Sequence, residues 1–204
     1  MIRSWLLQVF RAYILFFICM FCFWIGLLNR RILYEKNKLI NIIFYISGLI
    51  YLSILIMLLF KGFGKRMDSR SINLIPFKTI FNYITLIDSS KFGFFIENII
   101  GNILLFLPMG VYLNVITDRN KLSLTIIILS SILVEVIQYL FNFGILDIDD
   151  VILNSIGGFI GIKIYNFLLT KFKTRDKIKR ITIAASIMIF ILICIIILYQ
   201  NIYL

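Results

Sequence analysis

The sequence predicts an all-α integral membrane protein of about six transmembrane helices, with an interfacial or re-entrant segment between the second and third. Three observations carry this. Hydrophobic residues make up 61% of the 204-residue chain and charged residues 15%, where soluble domains run at roughly 45–50% and about 25%. The mean hydropathy is +1.01. The apolar residues also gather into runs of about 20, the length needed to cross a hydrocarbon core of roughly 30 Å. Within that core only closed hydrogen bonding is tolerated, so these runs are expected to be helices.

The runs follow in order along the chain. The first, Leu6 to Leu28, is interrupted only by Gln8 and Arg11 near its start. Arg3 and Arg11 resemble the basic start of a signal peptide, but no small-x-small cleavage site follows and Asn29-Arg30-Arg31 closes the run, which predicts a retained span. The second, Leu39 to Phe60, contains no charge. The third, Ile96 to Ile116, carries Glu97, Asn98, Asn102 and Pro108. The fourth, Leu122 to Phe143, holds Glu135 and Gln138, and the fifth, Val151 to Leu169, holds Asn154 and Lys163. The sixth, Ile181 to Tyr199, is nearly all aliphatic. There is no internal repeat and no low-complexity tract.

Between the second and third runs lies Ser71 to Ile84, SINLIPFKTIFNYI, aromatic and aliphatic but broken by Pro76. Proline disfavours helix at the residue before it, here Ile75. A segment resting on the membrane surface, with Phe77, Phe81 and Tyr83 dipping in, fits this pattern better than a soluble domain.

Charge distribution sets the expected orientation, because Lys and Arg near span ends favour the cytoplasm. With the N-terminus outside, the cytoplasmic loops carry Arg30, Arg31, Lys36 and Lys38, then Arg119 and Lys121, then Lys171, Lys173, Arg175, Lys177, Lys179 and Arg180. The turn at 144–150 has no base and three of the chain's ten acidic residues, which places it on the opposite face. The connection 61–95 runs against the trend, with Lys61, Lys65, Arg66, Arg70, Lys78 and Lys91.

Composition also excludes chemistry. Without histidine, no Ser-His-Asp triad, Cys-His pair or His-bearing zinc site can be built from this chain. Cys19, Cys22 and Cys194 all lie in apolar runs, where a thiol behaves as a small buried hydrophobe.

The informative residues are polar groups at membrane depth; ionisable ones cost about 2.5–3.5 kcal/mol each on insertion scales and are therefore functional candidates. Glu135 and Gln138, one helical turn apart, share a face. Glu135 is either a hydrogen-bonded carboxyl joining helices or a carboxylate facing a polar cavity. Asp147, Asp150 and Asn154 are spaced to stack on one face of a helix starting near Asp147, while Asp149 projects elsewhere. Aspartates also suit a helix N-terminus on their own account. Gly157 and Gly161 continue the face as a GxxxG pair with Gly158 adjacent, a spacing that lets membrane helices approach closely. In the third run Asn98 and Asn102 lie one turn apart, and Pro108 interrupts the backbone bonding further on. Together Asn98, Asn102, Glu135, Gln138, Asp147, Asp150 and Asn154 form one polar constellation on three consecutive spans. A set of carboxylates and amides without histidine would suit Mg²⁺ or Ca²⁺, with Asp147, Asp150 and Asn154 as its ligands. Such an ion could hold a lipid-linked phosphate.

The succession NLIPF (Asn73 to Phe77), ENIIGNILLFLPMGVYLN (Glu97 to Asn114), SSILVEVIQ (Ser130 to Gln138) and DIDDVILNSIGGFIG (Asp147 to Gly161) resembles the VanZ family. The resemblance covers about residues 45 to 204. The family pattern carries over to Asn73, Pro76 and Phe77; to Asn98, Asn102, Pro108 and Gly110; to Glu135 and Gln138; and to Asp147, Asp150, Asn154, Gly157 and Gly158. A basic or polar residue often found before the aspartates is replaced by Gly144-Ile145-Leu146. Residues 1–38 are then an extra N-terminal span with a basic loop, and 39–204 the family's membrane domain. The resemblance implies a multi-pass protein of the bacterial cell membrane associated with reduced sensitivity to teicoplanin. The partners it implies are membrane lipids and a lipid-linked cell-wall precursor or lipoglycopeptide, with no nucleic acid. It supplies no mechanism. The alternative is a membrane enzyme or binder acting on a lipid-linked polar substrate through Glu135, Asp147 and Asp150.

Overall fold

The structure, a computed structural model, describes residues 37–60, 71–85, 96–141 and 145–188. The first run, Cys19, Cys22, Cys194, the basic stretch 61–70 and the end of the sixth run lie outside the described residues. The remaining runs are helical, as expected. Helix α1 is Lys38–Leu59, and helix α2 is the short Lys78–Thr85. A single π-helical turn, Ile96–Ile100, leads into α3, Gly101–Thr117, followed by α4, Asn120–Leu140, and α5, Ile148–Phe172. A last helix, α6, occupies residues 175–188. Four of these helices are long and apolar enough to cross a membrane: Lys38–Leu59, Asn98–Thr117, Asn120–Leu140 and Ile148–Phe172.

One element departs from an all-α fold. Strands β1, Ile72–Asn73, and β2, Leu146–Asp147, pair in parallel, with Ile72 opposite Leu146 and Asn73 opposite Asp147. Two residues are too few to show an alternating pattern in sequence, so nothing local announces this pairing.

The chain divides into two compact units, Met1–Ile56 with Lys179–Leu204, and Met57–Ile178. In the first, the buried Lys179 ammonium donates to Asn41 Oδ1 at 2.7 Å. The second holds the polar constellation and is built on a close pairing of α3 with α5. That pairing explains the glycines. A Cβ on Gly157 would stand 2.1 Å from the Ile103 carbonyl oxygen, and one on Gly161 would stand 2.0 Å from that of Leu107. A Cβ on Gly110 would lie 2.1 Å from the Gly158 oxygen. The helices therefore touch backbone to backbone along one stripe, as small residues permit in membrane interiors. Gly158 faces the third partner, where a Cβ would meet Ile127 of α4 at 2.6 Å.

Around this seam Phe106, Tyr112, Leu113, Ile127, Val134, Leu153, Ile162 and Tyr165 are buried. The outward positions are equally apolar: Leu104, Leu129, Leu133, Phe159 and Phe167 are exposed. An apolar exterior over apolar helices suits hydrocarbon as the surrounding medium. Pro108 sits inside α3, where its ring removes the bond to the Leu104 carbonyl.

Candidate functional site

The polar residues gather at the end of the second unit where α3 begins, α4 ends and α5 begins. Asp147 is the residue before the first turn of α5, in extended conformation (φ −120°, ψ 119°), and its Oδ1 accepts the Asp149 N–H at 2.9 Å. This is the side-chain capping that helix starts favour. Capping accounts for only part of its bonding, however. Asp147 Oδ1 also accepts from Asn73 Nδ2 at 3.0 Å, and Oδ2 accepts from the Thr79 hydroxyl at 2.6 Å. Asn73 Nδ2 additionally reaches Thr79 Oγ1 at 2.9 Å. The Asp147 backbone N–H in turn donates to Glu135 Oε2 at 3.0 Å.

Asp149 is fully buried, and it holds the opposite segment by its backbone. Its Oδ1 accepts from the Phe77 N–H at 2.5 Å, and its Oδ2 accepts from Thr79 N–H at 2.7 Å and Ile80 N–H at 3.2 Å. These are donors that the start of α2 would otherwise leave open. Periodicity sends Asp149 away from the Asp150–Asn154 face and so removes it from the candidates. In space that direction is where the 71–85 segment lies. Three residues thus escaped the sequence reading: Asp149, Thr79 and Ser131. The only local signal was a pair of adjacent carboxylates in the first turn of an apolar helix, one more than capping requires.

The turn before α2 explains Pro76 and Phe77. Lys78 N–H donates to Ile75 O at 3.4 Å and Phe77 has a positive φ of 66°. Proline second and a positive φ third is the pattern of a type II turn. A left-handed phenylalanine costs about 1–2 kcal/mol, offset here by the Asp149 bond its N–H makes. The Phe77 ring is outside the polar network. With Ile72, Leu74, Ile75, Phe81 and Ile84 it is exposed, so segment 72–84 carries an apolar outer face over a polar inner one.

Asp147, Asp150 and Asn154 were expected on one face, and they reach four different elements between them. Asp147 reaches β1 and α2. Asp150 Oδ1 accepts from Asn102 Nδ2 of α3 at 2.7 Å. Asn154 donates through Nδ2 to Ser131 Oγ of α4 at 2.8 Å. Gln138 lies on the same helix as Glu135 but is turned to α1, donating to Leu59 O at 2.9 Å. Asn98 lies in the π-helical turn ahead of Asn102. Glu135 and Asn154 are 3% and 1% exposed, so the inner part of this acidic end is buried.

Among the described residues no group of three or more acidic or cysteine side chains is placed to hold a metal ion. Asp147 Oδ1 already accepts two hydrogen bonds and Oδ2 accepts one. Among the described residues, two buried amide oxygens, Asn73 Oδ1 and Asn154 Oδ1, have no hydrogen-bond partner. Buried polar atoms are normally satisfied, so these two mark places where a donor belongs.

No solved structure matches the chain. A relative, Protein VanZ of Enterococcus faecium, is 34% identical over 128 residues, which are 61% of this chain and 70% of the relative. The model of the VanZ/LLP1 family matches residues 42–170. That interval runs from within α1 almost to the end of α5 and contains both strands, the glycine stripe and every residue of the acidic end. The chain belongs to the VanZ/LLP1 family.

Proposed function

We propose that the protein lowers the sensitivity of a bacterial cell to teicoplanin, acting at the outer face of the cell membrane through the acidic end of α3, α4 and α5. The observation that supports this reading is the family match over residues 42–170, which encloses that end completely. In this arrangement the chain crosses the membrane about six times. Residues 6–28 and 181–199 add a span to each side of the four apolar helices, and the N-terminus lies outside. The basic loops at 118–121 and 171–180 then face the cytoplasm, as Lys and Arg prefer. Segment 72–84 rests on the outer surface or re-enters it, its exposed Phe77 and Phe81 in the interfacial layer. The site residues are Asn73, Glu135, Asp147, Asp150 and Asn154, with Asn102 positioning Asp150. Their partner is a lipid-linked cell-wall precursor or the lipoglycopeptide itself.

A membrane enzyme using Glu135 as acid or base, with Asp147 and Asp150 holding an ion, fits less well. Asp147 is bonded to Asn73, Thr79 and the Asp149 N–H, and is not directed with Asp150 at a common ion.

Expression in a glycopeptide-sensitive host tests the function. Teicoplanin susceptibility should fall while vancomycin susceptibility changes less, and an unchanged response to both drugs counts against the reading. Topology is tested by accessibility labelling of single cysteines at Ile145 and Lys177, after replacement of the three native cysteines. The two positions should label from opposite faces.

A further inference from the structure

Helix α5 carries a cation within its span. Lys163 stands nine residues before the helix ends at Phe172. With α5 across a bilayer, its length of about 37 Å exceeds a hydrocarbon core of about 30 Å only slightly, so Lys163 lies at least about 6 Å inside that core. Its side chain is exposed on the outside of the unit, and its ammonium lies 5.1 Å from the centroid of the Phe159 ring. Among the described residues that side chain makes no ion pair and no hydrogen bond. A charge at such depth is costly unless something complements it.

The same face continues to the helix end. Ile156, Phe159, Ile160, Phe167 and Lys171 are exposed alongside Lys163, at the spacing of one helical face. Beyond it Lys173 is left-handed (φ 55°), which turns the chain back. Lys171 and Lys177 then meet at one aromatic ring, their ammonium groups 5.7 and 6.0 Å from the centroid of Phe172. Between Phe159 and Ile178 stand five basic residues, Lys163, Lys171, Lys173, Arg175 and Lys177, and one acid, Asp176. Arg175 is paired with Asp118, whereas Lys171 and Lys177 have no ion pair among the described residues.

Orientation alone accounts for bases beyond the end of a span, but it gives no reason for Lys163. The chain offers that lysine no carboxylate: runs 6–28, 39–60 and 181–199 contain no acidic residue, and Glu135 is buried on the Asp147 N–H. A second copy docked face to face would set lysine against lysine. The complement therefore comes from the surroundings, as an anion whose apolar body can lie along the phenylalanines.

We propose that this face of α5 binds an anionic phospholipid. Its phosphodiester sits between Lys171 and Lys177 beside the Phe172 ring, and its acyl chains lie along Phe167, Ile160 and Ile156. Lys163 leaves Phe159 and extends past Phe167 to draw the headgroup inward, as long lysine stems reach for the polar layer. An ammonium group holds phosphate as a point charge, and bases clustered at the end of a span attract anionic lipid. The site lies at the opposite end from the buried aspartates, so it stands or falls independently of the teicoplanin reading.

The full chain in a neutral maltoside detergent is unfolded thermally while dioleoylphosphatidylglycerol is titrated into the micelles. Dioleoylphosphatidylcholine, with the same chains and a zwitterionic head, is one control, and inorganic phosphate is the other. Phosphatidylglycerol should raise the unfolding midpoint saturably, since a ligand that binds the folded state stabilises it. Neither control should. Lys163→Gln and the double variant Lys171→Gln/Lys177→Gln should move half-saturation to higher lipid, by about fivefold per lysine. Lys163→Arg should bind as wild type. Arg119→Gln/Lys121→Gln, which removes two charges from the α3–α4 turn, should leave half-saturation unchanged. Equal responses to the two lipids, no response, or a response to phosphate as large as to phosphatidylglycerol overturns the proposal. So does an equal loss in the Arg119→Gln/Lys121→Gln variant, which would show diffuse attraction to a basic end. If a lysine variant fails to fold, the wild-type contrast between lipids and the Arg119→Gln/Lys121→Gln variant still decide.

Discussion

The two ends of the Met57–Ile178 unit are both polar, and they solve the problem of polar groups in opposite ways. At the far end, Asp118 follows α3 and pairs with Arg175, both about a third exposed. Asn114 donates to Asn120 Oδ1 at 2.8 Å and accepts from Ser123 Oγ at 2.9 Å, which closes the short turn between α3 and α4. Tyr165 OH reaches Asp118 Oδ1 at 3.3 Å. Charge there meets opposite charge on partly exposed side chains. At the acidic end Asp147 and Asp149 are 8% and 0% exposed, and they meet backbone N–H groups, an amide and a hydroxyl. Apart from the Asp149 N–H that Asp147 caps, their partners stand 68 to 74 positions away in the chain. Both orphan oxygens of the described residues belong to this second network. The far end is thus a capped, partly exposed turn, whereas the acidic end holds buried polarity that joins segments distant in sequence.

The comparison can be broken at several points. The largest effect is expected at the stripe of backbone contact that connects the two ends. Gly161→Leu forces a side chain into the Leu107 carbonyl and should abolish monodisperse protein in size-exclusion chromatography. Next comes Asp149→Ala. It strips three N–H groups of their charged acceptor and should lower unfolding stability by about 3–5 kcal/mol, since hydrogen bonds to charged groups are worth about 1.5–3 kcal/mol each and not all of that is lost when the segment rehydrates. Protease cleavage within 71–85 should rise in parallel. Thr79→Val removes one hydroxyl from Asp147 and should cost about 1 kcal/mol in the same unfolding assay. Arg175→Ala at the exposed pair should cost under about 1 kcal/mol and weaken further in salt. A reversed order for Asp149 and Arg175 would show that the two ends are not different in kind.

Much of this was legible in the chain. Runs of apolar residues located α1, α3, α4 and α5 to within a few positions, because hydropathy over 20 residues is a summed signal that no single residue can hide. Pro76 marked the turn, and the GxxxG spacing marked the stripe that meets α3. Asn102 and Asp150 were placed in one constellation, and they are bonded to each other. What stayed hidden depends on partners distant in sequence. Asp149 looks idle on a helical wheel, and only the fold brings the N–H groups of Phe77, Thr79 and Ile80 to it. The β1–β2 pair is two residues long on each side, below the length at which periodicity means anything. Gln138 and Glu135 share a helix face in sequence, but they point to Leu59 and Asp147, since a face three or four residues wide can meet two neighbours.

The central claim is that the buried acidic end, and not the exposed end at Asp118 and Arg175, carries the function. It is tested most directly by the teicoplanin susceptibility of sensitive cells expressing the wild type, Asp150→Asn or Asp118→Asn at matched membrane levels. The account predicts reduced susceptibility with wild type and Asp118→Asn, and full sensitivity with Asp150→Asn. Protection by Asp150→Asn equal to wild type, or an equal loss in both variants, would contradict it.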